Sequence, residues 1–360
     1  MKENEKRLEE AASRVYRYMM HSKPEEWGDH KWADWAMNID RWDWNPGVGL
    51  IAAEAYGEPS ARGEVLRDVE TWTRRNLGQS ETVKVINAIA PFAVFPRLYR
   101  ETGERYYAER AEAIARWLMD EAPRTRSGAY EHTVTEQASF SEQIWADTVF
   151  MAVLFLARTA RLLANGRMAD EALRQALLHL QALQDEESGL LYHGRNCEAG
   201  DWMSAAKWNR ANAWNAVGIP MILEEVEGLA GDAETLREIK RRYLRLAEAL
   251  AARQSDGGLW PTVLDRPGYY AETSGSAGIA CGLFKAAAMG LVPAALADHA
   301  ERALSAVLDC IGADGAVAGV SGGTPVLDSV EAYGEVPVFP TLYGQGLVLL
   351  LLTEALRQRV

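Results

Sequence analysis

The feature that most constrains this chain is an alternation between two kinds of helical segment. One kind is charged and amphipathic, as in "ERYYAERAEAIARWLMDEA", "MADEALRQALLHLQALQDE" and "AETLREIKRRYLRLAEALAARQ", with apolar residues every three or four positions. The other is more apolar, rich in Ala and Gly, and preceded by a loop carrying Trp, Tyr or an amide. It occurs six times, from Trp42, Ile86, Ile144, Trp208, Ser274 and Leu342, with onsets 44, 58, 64, 66 and 68 residues apart. A period of about 60 residues over a chain of 360 predicts six helical hairpins. Apolar helices belong inside and charged ones outside, so closing the hairpins gives a double ring, an all-α (α/α)6 barrel. An open α-solenoid is the rival, but its repeats are usually shorter and do not gather Trp at one end of the inner helices.

Length alone would suggest about two domains. No Pro/Ser-rich linker interrupts the pattern, so residues 1–360 are expected to form one barrel domain. The net charge of −13 and a pI of 5.1 argue against a nucleic-acid or membrane-surface partner, each of which needs a basic face. A small anionic substrate needs only a local positive pocket. Three cysteines, Cys197, Cys281 and Cys310, show no C-x-x-C spacing, so neither zinc nor a disulfide framework is expected, and a reducing cytoplasm fits. The start, "MKENEKRLEEAASRVYRYMM", lacks the apolar core of a signal peptide, and "GLVLLLL" at 346–352 is too short to span a bilayer. Subunit number is left open.

Short segments ahead of several inner helices echo one another: "SGAYEH" from Ser127, "SGLLYHG" from Ser188, "DGGLWPTV" from Asp256 and "DGAVAGV" from Asp314. Each places Gly after Ser or Asp, a turn signature. In a barrel these loops and the inner-helix N-termini converge on one rim. Helix N-termini carry unpaired N–H groups and about half a positive charge each, which predisposes the rim to an anion.

Four constellations fall at that rim. Asp43 sits between Trp42 and Trp44; its plain reading is a helix N-cap, while flanking Trp rings suit a sugar ring. Asp147 stands alone in the oily run "IWADTVFMAVLFLARTA". The preceding "SFSE", Ser139 to Glu142, reads as a capping box that starts the helix near Ser139 and leaves Asp147 in its second or third turn. There it shares a face with Phe150, Met151 and Leu154, and burial is expected to raise its pKa towards that of a general acid; a satisfied structural Asp is the alternative. In "WNRANAW", Arg210 and Trp214 are i, i+4 neighbours beside Trp208, a combination that offers fork donors and a flat face to a uronate. Stacking for packing is the plain reading. His132 and His193 occupy equivalent positions in two of the echoed turns, which favours binding or hydrogen-bonding roles. "GVGLIA" follows a Pro and no strand, so it is no dinucleotide loop. "GVSGG" is followed by "TPVLDS" where a nucleophile elbow needs a helix. No metal-ligand cluster and no cofactor are expected.

In order, "WDWNPGVGL", "VINAIAPF", "IWADTVFMAVLFLAR", "LYHG", "WNRANAWNAVGIP", "GLWPTVLDRPGYYAETSGSAG" and "GVSGGTP…PTLYGQG" resemble the unsaturated glucuronyl and rhamnogalacturonyl hydrolases of glycoside hydrolase families 88 and 105, most closely 105, over Trp32 to Leu356. The resemblance implies the same barrel and an anionic oligosaccharide substrate. Its non-reducing uronic acid carries the C4=C5 double bond left by a polysaccharide lyase, with pectic rhamnogalacturonan as the expected source. It also implies a hydratase chemistry: Asp147 protonates C4, water adds at C5, Asp147 takes the water's proton, and the hemiketal opens to release the remaining sugar. His132, His193, Trp208, Arg210 and Trp214 then match positions around the unsaturated uronate, with Trp44 as a wall and Asp43, Asn87, Trp145 and Tyr343 contributing from the quoted blocks. The chain departs from the family pattern at Asn87, near Lys84, where relatives often carry a second carboxylate. It departs again at "HGRN", where Arg195 replaces the usual Trp. Two other readings stand beside this one: an inverting glycosidase using Asp43 and Asp147 as a carboxylate pair, and a non-catalytic carbohydrate-binding barrel.

Overall fold

The inner helices are built to touch one another closely. In the computed structural model, which describes residues 2–58, 63–82, 84–134 and 140–359, they run Trp44–Gly57, Asn87–Val94 continuing as Phe95–Thr102, Val149–Val153 continuing as Leu154–Leu163, Asn209–Val226, Thr273–Ala288 and Leu342–Arg357. Each packs against the next, and the last returns to the first, so the ring closes. Gly282 shows why small residues recur: a Cβ there would lie 2.1 Å from the Ala216 carbonyl oxygen, so the fourth and fifth inner helices meet backbone to backbone.

The outer ring is formed by Lys2–His21, Gly63–Ser80, Arg105–Asp120, Gly166–Leu183, Ala233–Ala251 and Ala297–Asp309. Their charged faces meet solvent, while residues such as Val65, Val69 and Trp72 turn inward. The echoed turns join the rings. Gly315 has φ +101°, and a Cβ there would come within 2.2 Å of the Arg14 carbonyl oxygen, so the last turn lies against the first outer helix where the circle closes. Among the described residues, no helix is long and apolar enough to cross a membrane.

Five inner helices start within two residues of the positions expected from sequence; the third does not. Gln143–Trp145 is a short strand paired antiparallel with Gly194–Asn196, with Trp145 opposite Gly194. Ser139 lies outside the described residues. Glu142, the other half of the expected capping box, has φ +56° and donates its N–H to the Glu131 carboxylate. Pairing in the strand occupies the backbone that the helix would have used, so helical bonding begins at Asp147, whose carbonyl accepts from Phe150 and Met151. Asp147 is therefore in the first turn, not the second or third. The turn that follows is π-helical, with the Leu154 N–H bonded to Val149; such turns often mark functional sites.

Candidate active site

Asp147 is held from two neighbouring repeats. The N–H of Ala146 donates to the His193 carbonyl at 3.0 Å, and Asn215 Nδ2 donates to the Ala146 carbonyl at 3.1 Å. The Asp147 side chain is 14% exposed, and its Oδ2 lies 3.4 Å from His193 Nε2. Neither atom has a hydrogen-bond partner in good geometry. His193 is fixed by its N–H to the Ala206 carbonyl and through Nδ1, 2.7 Å from the Tyr333 hydroxyl. On the other side, His132 Nδ1 is 2.9 Å from Thr148 Oγ1, and its ring stacks on Trp145 with centroids 4.5 Å apart. The two histidines of the echoed turns thus converge on Asp147.

The electrostatics reverse one expectation. Burial by itself would raise the Asp147 carboxyl, but the His193 imidazole 3.4 Å away, then His132 and Arg210, hold it below the usual carboxylate value. These neighbours therefore favour the ionised form of Asp147. His132 goes the other way for a base: burial pushes its imidazole down to about 4, against the pull of Asp147.

An aromatic belt leads along the rim to this carboxylate. Trp44 stacks on Tyr343 at 4.9 Å, and the Arg210 guanidinium lies over both Tyr343 and Trp208, at 4.5 and 4.3 Å from the ring centroids. Trp208 then meets His193 at 4.4 Å, and His193 meets Trp145 at 5.7 Å. Arg210 itself departs from the expected fork. It is fully buried, with Nη1 donating to Ser321 O and Oγ and to Ser274 Oγ, and Nη2 donating to the Gly322 carbonyl. Glu272 stands 3.5 Å away as its counter-charge. Both terminal nitrogens bond to protein, Nη2 through one of its two N–H groups, and Nε has no partner.

The remaining sequence candidates separate. Asp43 N-caps the first inner helix, accepting from the Trp44 N–H at 2.8 Å. Asn87 is 8% exposed with Oδ1 unpartnered, while its N–H is bonded to the Thr133 carbonyl. Trp214 lies deep against Phe150, its Nε1 without a partner. Buried polar atoms are nearly always bonded in folded proteins. The unpartnered atoms on Asn87, Arg210 and Trp214 lie in this region and are available to a polar ligand.

Three contributors were not identified from sequence. Glu272, completely buried, caps the fifth inner helix through the Gly275 N–H and accepts from Ser274 Oγ and the Ser321 N–H. Ser321, inside the dismissed "GVSGG", accepts from Arg210. Glu272 and Ser321 both lie in the quoted blocks, so they were findable there. Tyr333 sits in a segment with no motif. Among the described residues, no three His, Cys, Asp or Glu side chains are grouped to hold a metal ion.

Comparison with known proteins gives a consistent result. Residues 11–359 match the model of Glycosyl Hydrolase Family 88. The unsaturated rhamnogalacturonyl hydrolase YesR of Bacillus subtilis is 33% identical over 321 residues, 88% of this chain and 90% of the relative. A crystal structure described as a possible member of family GH105, from Salmonella enterica, superposes with a TM-score of 0.90 at 31% identity, covering 98% of this chain and 94% of that one. The unsaturated glucuronyl hydrolase of Bacillus sp. GL1 shares the fold at 18% identity, with a TM-score of 0.65 over 86% of this chain and 85% of its own.

Proposed function

Since the chain belongs to glycosyl hydrolase family 88, we propose that it releases a Δ4,5-unsaturated uronic acid from the non-reducing end of lyase-generated oligosaccharides, with Asp147 as the acid and then the base. Rhamnogalacturonan is the preferred source, because the relative that matches nearly end to end is named for that substrate.

The observation that carries the reading is the isolation of Asp147. Of the rim carboxylates discussed, Glu272 is bound to Arg210 and a helix end, and Asp43 caps a helix, whereas Asp147 Oδ2 faces a histidine with its hydrogen-bonding capacity unfilled. A two-carboxylate glycosidase needs a second group free to activate water. A hydratase needs one.

A carboxyl held below its usual value can still act as an acid once substrate lies against it. A uronate carboxylate entering beside Asp147 excludes water and adds a like charge, and both effects raise the Asp147 pKa. Proton uptake is thereby coupled to binding. The proton passes to C4, and the cation left at C5 is shared with the ring oxygen. Water adds at C5, Asp147 recovers a proton from it, and the hemiketal opens, leaving a C1 hemiacetal that expels the leaving sugar. Trp44, Tyr343 and Trp208 supply apolar faces for the sugar, and the orphan donors on Arg210 and Trp214 and the acceptor on Asn87 supply polar contacts.

Purified protein should be offered unsaturated disaccharides made by lyases from rhamnogalacturonan, glycosaminoglycans and ulvan, following loss of the enol's ultraviolet absorbance. The rhamnogalacturonan product is expected to turn over fastest. Asp147→Asn should lower kcat by about 10²–10⁴-fold while still binding substrate. Near-parental turnover by that variant would remove Asp147 from the chemistry.

A further inference from the structure

The segment between the last outer helix and the last inner helix reaches across the rim and ends a chain of contacts that starts at Asp147. Its short helix Val330–Gly334 carries Tyr333, which is completely buried. The Tyr333 hydroxyl is 2.7 Å from His193 Nδ1 and accepts the Leu327 N–H at 3.1 Å. The ring packs on His193 and Trp208, at 5.8 and 5.9 Å between centroids. The segment also closes over the rim strand: a Cβ on Gly194 would lie 2.8 Å from Val326 Cγ2.

The donors and acceptors fit one arrangement. A tyrosine hydroxyl has one proton to give and two lone pairs, and Leu327 fills one of the pairs. His193 Nε2 faces a carboxylate oxygen at 3.4 Å, and two lone pairs would repel there, so Nε2 carries a proton. In the neutral ring Nδ1 is then an acceptor, and the Tyr333 hydroxyl is the donor within reach. Burial pushes that hydroxyl up to about 12, so its proton stays on at neutral pH.

We propose that Tyr333 is a positioning residue that donates to His193 Nδ1, fixing the imidazole as its Nε2–H tautomer and aiming that N–H at Asp147. The carboxylate is held by one oxygen while the other is left towards the sugar. This inference rests on the proposed role of Asp147, but its structural half can be tested without turnover.

In protein with 15N-labelled histidine, His193 (assigned by its loss in His193→Gln) should show an imine-type Nδ1 and a protonated Nε2 at neutral pH. Tyr333→Phe should move the Nδ1 resonance away from its hydrogen-bonded position. It should also lower kcat about 10- to 100-fold, the scale expected for a misplaced catalytic group, with KM changed less than about threefold. A proton on Nδ1 in the parent protein overturns the proposal, whatever the activity assays give. So does a folded Tyr333→Phe enzyme with parental kcat on a substrate the parent turns over. If no unsaturated substrate is turned over by the parent, the function assignment fails while the labelled spectrum still decides the tautomer.

Discussion

The two mouths of the barrel treat buried charge differently. At the rim formed by the inner-helix N-termini, Arg210, Asn87 and Trp214 each leave a polar atom unmatched, and Asp147 faces His193 rather than a cation of fixed charge. At the other mouth, a small cavity of about 90 Å³ is lined by Glu54, Arg97, Arg158, Glu225, Lys285 and Arg357 among others, and there charge meets counter-charge. Arg158 pairs with Glu54 and stands 3.7 Å from Glu225, Lys285 is 2.7 Å from Glu224, and Arg357 pairs with Glu58. Basic residues close the last turns of four inner segments there, Arg100, Arg161, Lys285 and Arg357, where they complement the negative helix ends. The difference is one of density: reciprocal ion pairs crowd this mouth, whereas the rim holds the Arg210–Glu272 pair and a carboxylate that faces a histidine.

That contrast can be broken most severely from the ion-paired side. Arg158→Met leaves Glu54 buried without its counter-charge, so the unfolding free energy should fall by about 3–5 kcal/mol in denaturant titration. Turnover per folded molecule should stay at the parental value, since Arg158 is partnered by Glu54, Ala93 and Glu225, none of them among the rim residues named above. A large loss of kcat in folded Arg158→Met would mean that the two ends are coupled.

A somewhat smaller effect sharpens the picture on the rim side. Native His132 is held to about 4 against an ordinary value of 6.5. Below pH 6.5 the unfolded chain takes up a proton that the native protein refuses until about pH 4, so stability present above 6.5 is lost as the pH falls through that window. The loss attributable to His132 is roughly 3 kcal/mol at 1.36 kcal/mol per unit. His179, buried in an outer helix, is shifted in the same direction to about 4. The variant His132→Gln should therefore remove about half of the combined histidine contribution. Denaturation curves at several pH values check this, and an unchanged slope would contradict the burial of His132 as an uncharged ring.

Much of the architecture was legible because it is periodic. The apolar segments beginning at Trp208, Ser274 and Leu342 each lie within one residue of an observed helix start. The third inner helix was misplaced because its start depends on a strand partner, Gly194–Asn196, about fifty residues away, and local capping signals carry no trace of that pairing. The site was readable as residue types and less so as states. Asp147 was found, yet the sign of its pKa shift depends on two histidines and an arginine gathered from other repeats. Arg210 was found, but its acceptors Ser321 and Gly322 are 111 and 112 positions away, so the fork looked free. Tyr333 had no local signal at all; its meaning comes from a contact spanning 140 residues.

The most direct test follows the proton. Early turnover of an unsaturated disaccharide in D2O, followed by NMR, should place one deuteron on a single face of C4 of the released sugar, in step with decay of the enol signal. Release of the leaving sugar with the C4=C5 bond still intact, or a deuteron distributed over both faces of C4 from the first turnovers, would contradict delivery by one fixed carboxyl group.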